Sequence, residues 1–550
     1  MCGIVSIINC KNINIDTKKQ MYSIGMRRGP ESHKDCEFLD VWFGFHRLAI
    51  NGIDEKSDQP FIIDNIILIC NGEIYNYKEL YKKLNITPET NSDCEVIIHL
   101  YKKFGIDYTL KVLDGYFSFI LCDKRLGIGK SKLFVARDAF GVRPLYEITN
   151  KCDIYGFASE LKVLNKMDEY SKIKQFEPGT YKTFLHDNKW NFVSKYKYFT
   201  IPSMIHNTMI HLNNYTKDIY DNLNNAVKKR VNGSSDREIA CLLSGGLDSS
   251  IITALVKKYY KGTLHTYSIG MKGSKDLEYA RYVSKHIDTE HHEIIVSKED
   301  FIKLIPVVIK DIESYDTTTV RASVGNYLIG KYISENSNHK VIFNGDGSDE
   351  VTGGYIYLLN SPNDFDFDKE CRSLLTNIHY FDVLRSDKCI SSHGLEPRTP
   401  FLDTTFLQHY MSIPSEVRNP RSDWNINNKL WDSMEETRSR PEKLLLRYSF
   451  HCHDSELLPK NILWRSKEAF SDGVSGESGS WYTIIKEHMN DYIKNKDYTF
   501  NPPTTNEQRY YRDIFEKEYK GQGESIPYFW MPKFVDAVDP SARTLSIYKT

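Results

Sequence analysis

Short apolar runs alternate with helix-like patterns through the second half of the chain. The run at 239–243 is uncharged and is followed by two adjacent glycines, Gly245 and Gly246, after which apolar residues recur at helical spacing. Further strand patterns lie at 264–269, 292–296 and 340–343, and helix patterns lie at 276–287, 298–312 and 321–334. Strands that alternate with helices predict a parallel sheet with its ligand site at the carboxyl ends of the strands.

The first 200 residues have a different pattern, in which apolar runs typical of strands dominate. Strands are predicted for the opening apolar run and at 66–70, 113–120 and 134–138, with a turn at 71–73. Residues 186–216 are polar and aromatic with weak periodicity, and a helix is predicted at 215–231. This change of pattern places a linker near 195–213 and divides the chain into domains at 1–200 and 214–550.

The stretch S-G-G-L-D-S-S at 244–250 has the composition of a phosphate-binding loop. Adjacent glycines let the backbone approach a ligand, and free N–H groups at a helix start attract an anion. Ser244 and Ser249 add hydroxyl donors, and Asp248 places a carboxylate where a divalent cation could bridge to phosphates. The stretch has no P-loop lysine and resembles loops of enzymes that cleave ATP between the α and β phosphates. An ordinary glycine-bearing turn is the alternative.

A second glycine turn, N-G-D-G-S-D-E at 344–350, carries three carboxylates and follows the predicted strand at 340–343. In a parallel sheet this turn and the glycine loop at 244–250 lie at the same edge. The strand that ends at Ile269 and Gly270 reaches that edge too, where its backbone groups could contact an adenine. A solvated acidic loop is the alternative interpretation of the turn.

Position 2 carries a cysteine that becomes the N-terminal residue if Met1 is removed. Its α-amino group, with a reference pKa of about 7.7–8.0, could then accept the thiol proton. This is how an N-terminal nucleophile is activated. A chance cysteine in an edge strand is the alternative interpretation of Cys2.

Polar residues downstream of this cysteine fit a pocket for an amino acid amide. Asn71 and Gly72 can both direct N–H groups at an oxyanion. Arg47 can bind a carboxylate through two hydrogen bonds. Glu73 and Asp93 can accept hydrogen bonds from an ammonium or a carboxamide. The set predicts a glutamine pocket that faces a thiolate.

Composition narrows the class of protein further. The 550 residues carry a formal net charge of −1, which gives no indication of a nucleic acid partner. No run approaches 18 uncharged apolar residues, so no membrane span is predicted, and the N-terminus lacks the basic segment of a secretory signal. The eleven cysteines show no C-x-x-C or zinc-site spacing. Reduced thiols and a cytoplasmic location are therefore expected.

The first 200 residues resemble the class II glutamine amidotransferase domain. The resemblance is carried by Cys2 and by the segments 28–30, 45–50, 71–76 and 92–95. It implies an antiparallel α-β-β-α sandwich of the N-terminal nucleophile hydrolase type, with two sheets packed face to face. It also implies that Cys2 forms a γ-glutamyl thioester. Asn71 and Gly72 would stabilise the oxyanion, and Arg47, Glu73 and Asp93 would bind the amino-acid end of glutamine.

Both halves together resemble glutamine-dependent asparagine synthetases, in particular the bacterial B type, over nearly the whole chain. In the second half the resemblance is carried by segments 313–323, 394–403 and 464–473. It implies an α/β multidomain protein whose parallel-sheet ATP-pyrophosphatase domain has helical additions, and a homodimer. Aspartate would attack ATP to give β-aspartyl-AMP, and ammonia released at Cys2 would displace AMP after passing along an enclosed path.

The resemblance also implies roles for individual residues of the second half. Asp346 and Lys467 would be catalytic, and Asp248 and Asp349 would bind Mg²⁺. The expected ATP-binding residues are Leu242, Ser244, Gly245, Gly246, Asp248, Ser249, Ile269, Gly345 and Lys467. The expected aspartate-binding residues are Thr318, Thr319, Arg321 and Arg385.

Three places depart from the family pattern. Asp346 stands where the family usually has Glu, so its carboxylate is one methylene shorter, and Asp387 stands where Asn is usual. Residues 324–326 also differ. Because the family's Glu is linked to the synthetase chemistry, the change at Asp346 bears on the efficiency of the second half-reaction.

Two other functions stay open at this point. One is a different amide-forming synthetase of the same build, such as a β-lactam-forming or peptide amide-forming one, and the other is a weakened homologue that acts as a binding protein. Enzymes of the first class often lack Cys2 or the stretch at 315–323, and this chain has both. Intact Asp248, Asp349 and Lys467 argue against the second class.

Overall fold

The computed structural model describes most of the chain. The described residues are 1–125, 127, 129–168, 170–202, 212–234, 236–467, 475, 481–490, 492 and 497–541. Residues 203–211 of the predicted linker, and residues 468–473 of the motif at 464–473, lie outside them.

Within the described part of the first half, twelve strands form two six-stranded antiparallel sheets, as the resemblance implies. The strands are β1 (Gly3–Ile8), β2 (Ser32–Phe38), β3 (Val41–Arg47), β4 (Phe61–Ile63), β5 (Ile66–Ile74), β6 (Gly115–Asp123), β7 (Lys132–Arg137), β8 (Tyr146–Thr149), β9 (Tyr155–Ala158), β10 (Ile173–Gln175), β11 (Thr180–Asp187) and β12 (Lys189–Lys197). One sheet has the order β10-β8-β9-β1-β3-β2, and the other has the order β12-β11-β7-β6-β5-β4.

The two sheets pack face to face through alternating apolar side chains. Ile4 and Phe43 of the first sheet join Ile69 and Ile120 of the second in one buried layer. Helices cover the outer faces: α1 (Ile15–Gly25), α2 (Tyr77–Leu84), α3 (Val96–Val112) and α4 (Leu161–Leu164). The predicted α-β-β-α sandwich is therefore confirmed.

A five-stranded parallel sheet forms the centre of the second half. Its strands are β13 (Ile239–Leu242), β14 (His265–Gly270), β15 (Glu290–Ile295), β16 (Val341–Phe343) and β17 (Glu396–Arg398), in the order β15-β14-β13-β16-β17. The chain builds outward from β13 to β15 and then returns to place β16 on the other side of β13. Loops after β13 and β16 therefore diverge at a topological switch point, where ligands bind in such sheets.

Helices surround this sheet and extend beyond it. Those of the described residues are α5 (Leu212–Asn232), α6 (Leu247–Tyr259), α7 (Lys275–Ile287), α8 (Lys298–Ile312), α9 (Thr317–Asn336), α10 (Ser348–Thr352), α11 (Asp364–Asn377), α12 (Asp382–Ser391), α13 (Thr404–Ser412), α14 (Ser415–Arg418), α15 (Asp423–Asn427), α16 (Glu435–Arg438), α17 (Leu444–His453), α18 (Lys460–Leu463), α19 (Trp481–His488) and α20 (Asn506–Glu518). Among these helices, none is both long enough and apolar enough to cross a bilayer.

The predicted turn at 71–73 is wrong. Asn71, Gly72 and Glu73 continue β5 and pair in register with three residues of β6, namely Ser118, Phe117 and Tyr116. A Cβ at Gly72 would lie 2.7 Å from the carbonyl oxygen of Tyr116. The glycine therefore allows close strand pairing at this point, instead of a reversal of the chain.

Buried ion pairs join the two halves. Arg28 Nη1 donates to Asp387 Oδ1 at 2.8 Å and to Ser391 Oγ at 3.0 Å, and both partners lie on α12. Arg143 Nη2 lies 3.3 Å from Glu396 Oε1 on β17. All of these side chains are buried. Because a buried charge is costly unless it is paired, these contacts fix how the halves dock.

Apolar residues from both halves surround these ion pairs. Leu48, Tyr116 and Phe140 of the first half belong to the same buried cluster as Leu247 and Ile251 of α6. The hydroxyl of Tyr116 also donates to the carbonyl oxygen of Thr399 at 2.8 Å. The halves therefore share one continuous core.

Removal of the Asp387 carboxylate tests how much the buried Arg28–Asp387 pair supports the contact between the two halves. Asp387→Ala is expected to lower the free energy of unfolding by roughly 3–5 kcal/mol, because Arg28 stays buried without a charged partner. Asp387→Asn keeps an acceptor oxygen and is expected to lose only about 1 kcal/mol. Denaturant titration followed by tryptophan fluorescence measures both changes.

A surface ion pair supplies the control for this experiment. Asp153 contacts Lys189 at 2.9 Å, but both side chains are more than half exposed. Lys189→Ala, which removes the pair from its other side, should therefore leave the unfolding midpoint unchanged. If Asp387→Ala were as stable as the wild type, the buried pair would have no supporting role.

Candidate active sites

Cys2 lies directly before β1, half-buried beside the joint between the halves. Its Sγ donates to the carbonyl oxygen of Leu48 at 3.6 Å, and its own carbonyl oxygen accepts from Arg28 Nε at 3.1 Å. Burial raises the pKa of the Cys2 thiol to about 11, and the nearby amino terminus acts in the opposite direction. The resting side chain is therefore a protonated thiol.

In the structure Met1 precedes Cys2, so the nitrogen of Cys2 is part of a peptide bond. The Met1 amino group is buried, and burial lowers its pKa to about 6. An amine at this depth is mostly unprotonated at neutral pH.

The predicted oxyanion residue Asn71 has a free donor. Its Nδ2 is buried and has no hydrogen-bond partner among the described residues. A buried amide donor without a partner is costly, and a ligand oxygen would remove that cost. The neighbouring Gly72 accepts from Cys94 Sγ at 3.6 Å through its carbonyl oxygen, which brings the segment at 92–95 against β5.

Two predicted glutamine-binding carboxylates lie together at the end of β5. Glu73 Oε2 accepts from Asn51 Nδ2 at 2.8 Å and lies 3.4 Å from Arg398 Nη2 of the second half. Asp93 Oδ2 accepts from the backbone N–H of Ile74 at 2.6 Å. Burial raises the pKa of Asp93 to about 6, and burial together with the charge of Asp93 raises the pKa of Glu73 well above its ordinary value. A bound ammonium group would favour their charged forms.

Arg47 ends β3 beside the same pocket. Its Nη1 donates to Asp58 Oδ1 at 2.7 Å and to the carbonyl oxygen of Asp54 at 2.8 Å. The Arg47 charge is close enough to Cys2 to act on the thiol pKa, although burial dominates. The structure thus brings the predicted carboxylate-binding residue close to the predicted nucleophile.

In the second half, the loop after β13 is held open for a ligand. Gly245 has a φ of +73°, and a Cβ there would lie 2.5 Å from backbone atoms of α7. Ser244 Oγ and Ser249 Oγ are 3.1 Å apart. Gly246 precedes α6 and offers no side-chain cap, so N–H groups of the first helical turn remain available to an anion.

The loop and the acidic turn after β16 are in direct contact. A Cβ at Gly345 would lie 2.9 Å from Asp248 Cβ. Lys443 Nζ lies between the two sides, 2.6 Å from each carboxylate oxygen of Asp248 and 2.7 Å from Asp349 Oδ1. The two predicted metal ligands therefore face one positive charge together, and their hard oxygen donors suit Mg²⁺.

Lys467 is a second lysine in this cluster of charged side chains. Its Nζ lies 2.5 Å from Asp349 Oδ2. Burial alone would raise the pKa of Asp349, but the charges of Lys443 and Lys467 outweigh it and hold that pKa below its usual range. Burial would lower the pKa of Lys467, but Asp349 and Asp248 raise it above the ordinary value. Asp349 and Lys467 are therefore both charged at physiological pH.

Asp346 is held by one partner on its own turn and by another on α12. Its Oδ2 accepts from Asn344 Nδ2 at 2.8 Å, and its Oδ1 lies 3.2 Å from Arg385 Nη2. Arg385 also contacts Asp382 Oδ1 at 3.0 Å. Burial raises the pKa of Asp346, and Arg385 opposes this. The predicted catalytic carboxylate and a predicted aspartate-binding residue are therefore in contact.

The three other predicted aspartate-binding residues lie at the start of α9. Thr318 lines the main cavity. Thr319 Oγ1 donates to Asp316 at 2.8 Å as part of the helix cap, and Thr319 lines a smaller neighbouring cavity. Arg321 Nε donates to Glu507 Oε1 at 2.8 Å, and its Nη1 donates to Asp539 Oδ1 at 2.8 Å.

A cavity of about 260 Å³ opens at the carboxyl edge of the parallel sheet. Every predicted synthetase residue except Gly245 and Thr319 lines it. The pyrophosphate loop, the acidic turn and the start of α9 therefore surround one space large enough for bound small molecules.

Sequence reasoning missed several residues that line this cavity, among them Lys443, Glu350, Tyr355 and Asp382. No local pattern marks Lys443, because its partners are far away in the chain. Tyr355 connects Glu350 and Asp382, since its hydroxyl lies 2.7 Å from Glu350 Oε1 and 2.9 Å from Asp382 Oδ2. Only Glu350 had a signal, as the last residue of the acidic turn.

Comparison with protein families divides the chain in the same way as the structure. Residues 1–201 match the glutamine amidotransferase domain family. Residues 218–364 and 359–533 match the asparagine synthase family. The two matches cover both sites described above.

Individual relatives match over the full length. The chain is 39% identical over 602 residues to the asparagine synthetase [glutamine-hydrolyzing] of Gallus gallus, and 38% identical over 588 residues to that of Homo sapiens. Each match covers 100% of this chain and 99% of the relative. Among solved structures, a glutamine phosphoribosylpyrophosphate amidotransferase from B. subtilis covers 54% of this chain and 91% of its own, with a TM-score of 0.32 and 15% identity.

Close contact at Gly345 makes a sharp test of the nucleotide site. In Gly345→Ala the new Cβ would meet Asp248 and push the acidic turn away from the glycine loop. ATP affinity measured by calorimetry is expected to fall at least about tenfold. Gly233→Ala, whose nearest contact would be 3.2 Å, is the control and should bind ATP as the wild type does. Unchanged affinity of Gly345→Ala would mean that the turn does not border the ATP site.

Proposed function

Since this chain belongs to the family of glutamine-hydrolysing asparagine synthetases, we propose that its two sites divide one reaction. Glutamine is hydrolysed at Cys2, and asparagine is formed from aspartate and ATP in the cavity of the second half. The observation that carries the proposal is full-length similarity to relatives with both activities in their name. The cavity lined by most of the predicted synthetase residues supports it.

The first half-reaction requires an activated thiol. The Cys2 sulfur attacks the amide carbon of glutamine, the C–N bond breaks, and ammonia leaves with a proton from the thiol. Water then cleaves the thioester and releases glutamate. The free donor of Asn71 stabilises the oxyanion, and Arg47, Glu73 and Asp93 hold the amino-acid end.

The second half-reaction forms an acyl-adenylate. The β-carboxylate of aspartate attacks the α-phosphorus, pyrophosphate leaves, and ammonia then attacks the acyl carbon as AMP leaves. Lys467 offsets the charge that builds on the phosphates. Thr318 and Arg385 border the aspartate, and the Asp346 carboxylate is the group that accepts a proton from the attacking ammonia.

Magnesium fits the carboxylates of Asp248 and Asp349. Both offer hard oxygen donors, and both already contact Lys443 Nζ. A bound Mg²⁺ would neutralise charge on the phosphates of ATP.

A homodimer and a cytoplasmic location remain part of the proposal. All eleven cysteines lie in the described residues, and all are free thiols, which suits a reducing compartment. The homodimer rests on the family resemblance.

Replacement of Cys2 tests whether glutamine hydrolysis and asparagine formation take place at separate sites. Cys2→Ala is expected to lower glutamine-dependent asparagine formation roughly a thousandfold or more, because no nucleophile remains. Synthesis from ammonium chloride should persist at the wild-type rate. Cys152→Ala, which removes an exposed thiol, is the control and should change neither activity. Glutamine-driven synthesis by Cys2→Ala at the wild-type rate would rule out the thioester route.

Asp346 decides how well the two half-reactions are coupled. Asp346→Ala removes the proposed proton acceptor, and asparagine formation should fall on the order of a hundredfold while glutamine hydrolysis persists. Asp346→Glu lengthens the side chain by one methylene and should raise the asparagine formed per glutamate released. Product ratios at saturating glutamine measure both effects. A ratio and rate unchanged in both variants would remove any catalytic role for Asp346.

A further inference from the structure

A cluster of histidines lies at the amino ends of β14 and β15, at the edge of the sheet opposite the cavity. His265 and Glu290 begin these strands and pair in register, and Tyr267 pairs with His292 two residues later. Side chains two residues apart lie on one face of a strand. His265, Glu290 and His292 therefore share a face.

Their ligand atoms are close together. His265 Nδ1 and His292 Nε2 are 3.0 Å apart, and Glu290 carboxylate oxygens lie 3.7 Å from His265 Nε2 and 4.0 Å from His292 Nε2. Throughout the described part of the chain, this is the only group of three or more His, Cys, Asp or Glu side chains with ligand atoms all within 4.8 Å of one another. Two imidazole nitrogens on one tetrahedral zinc ion lie about 3.3 Å apart, so small side-chain rotations would complete a site.

Neighbouring rings hold the His292 imidazole in place. It stacks on Tyr267 with centroids 4.7 Å apart and lies parallel to His265 at 5.3 Å. The Tyr267 hydroxyl is in turn 3.1 Å from His339 Nδ1, and the His339 ring lies 4.6 Å from that of His265. Outer partners of this kind orient metal-ligating imidazoles in proteins.

The cluster is open to solvent, since the Glu290 side chain is 57% exposed and the His292 side chain is 30% exposed.

We propose that His265, Glu290 and His292 bind a divalent transition-metal ion such as zinc. Imidazole ligands favour zinc, nickel or copper, whereas Mg²⁺ prefers oxygen ligands such as Asp248 and Asp349. None of the three proposed ligands lines the catalytic cavity. Because β15 is an edge strand, the ion would tie this edge of the sheet to β14.

Zinc titration of the full-length protein tests the proposal. Protein stripped with a chelator is titrated with zinc chloride by calorimetry, in a buffer that contains excess Mg²⁺. The wild type is expected to bind one zinc per chain at this site. His292→Gln and Glu290→Gln should each weaken that binding at least tenfold. The control His286→Gln, on the exposed face of α7, should bind as the wild type does.

Cobalt(II) provides an independent readout. Its visible d–d absorption reports tetrahedral ligation by nitrogen and should be present in the wild type and in His286→Gln and absent in His292→Gln. Glu290 is exposed, so Glu290→Gln keeps the fold even if a histidine variant does not, and circular dichroism checks both. The proposal is overturned if the wild type takes up no zinc, or if both ligand variants bind it with wild-type affinity. Either result would leave the cluster as a hydrogen-bonded histidine pair.

Discussion

One buried arginine sets the relation between the two sites. Arg28 binds the carbonyl oxygen of Cys2 on one side and the carboxylate of Asp387 on the other. Asp387 lies on α12, and the same helix carries Arg385, which contacts Asp346. A single guanidinium thus connects Cys2, the proposed nucleophile, to the helix that carries Arg385. Since the charge is fully buried, displacement of either partner is costly, and the sites keep a fixed relation.

The departure at Asp387 is explained by the same contact. Where the family usually has Asn, a carboxylate here gives Arg28 a charged partner at 2.8 Å, and Arg143 lies 3.9 Å away. A buried pair of this kind adds little net stability over a well-packed neutral contact, because both charges lose their hydration. The pair instead selects one relative orientation of the two halves, since only that docking brings Arg28 and Asp387 into contact.

Local patterns predicted much of this structure, and long-range contacts account for what they missed. The strands before and after the glycine loop were predictable because apolar runs end at glycines. The N-G-E segment was wrongly predicted as a turn, because pairing with β6 overrides the turn preference of Asn-Gly. β17 was missed, since E-P-R has no apolar pattern. Lys443 was missed because it meets Asp248 across 195 positions of sequence. The residues of the proposed glutamine and nucleotide sites were named from the family resemblance, and their contacts are seen only in the structure.

Because Cys2 is held as a protonated thiol, its reactivity toward peroxide is lowered. Peroxide attacks thiolates far faster than thiols. With a pKa raised to about 11 by burial, Cys2 presents almost no thiolate to the solvent at neutral pH. Burial of Cys2 therefore disfavours its oxidation by peroxide, whereas Cys152 is exposed at the surface.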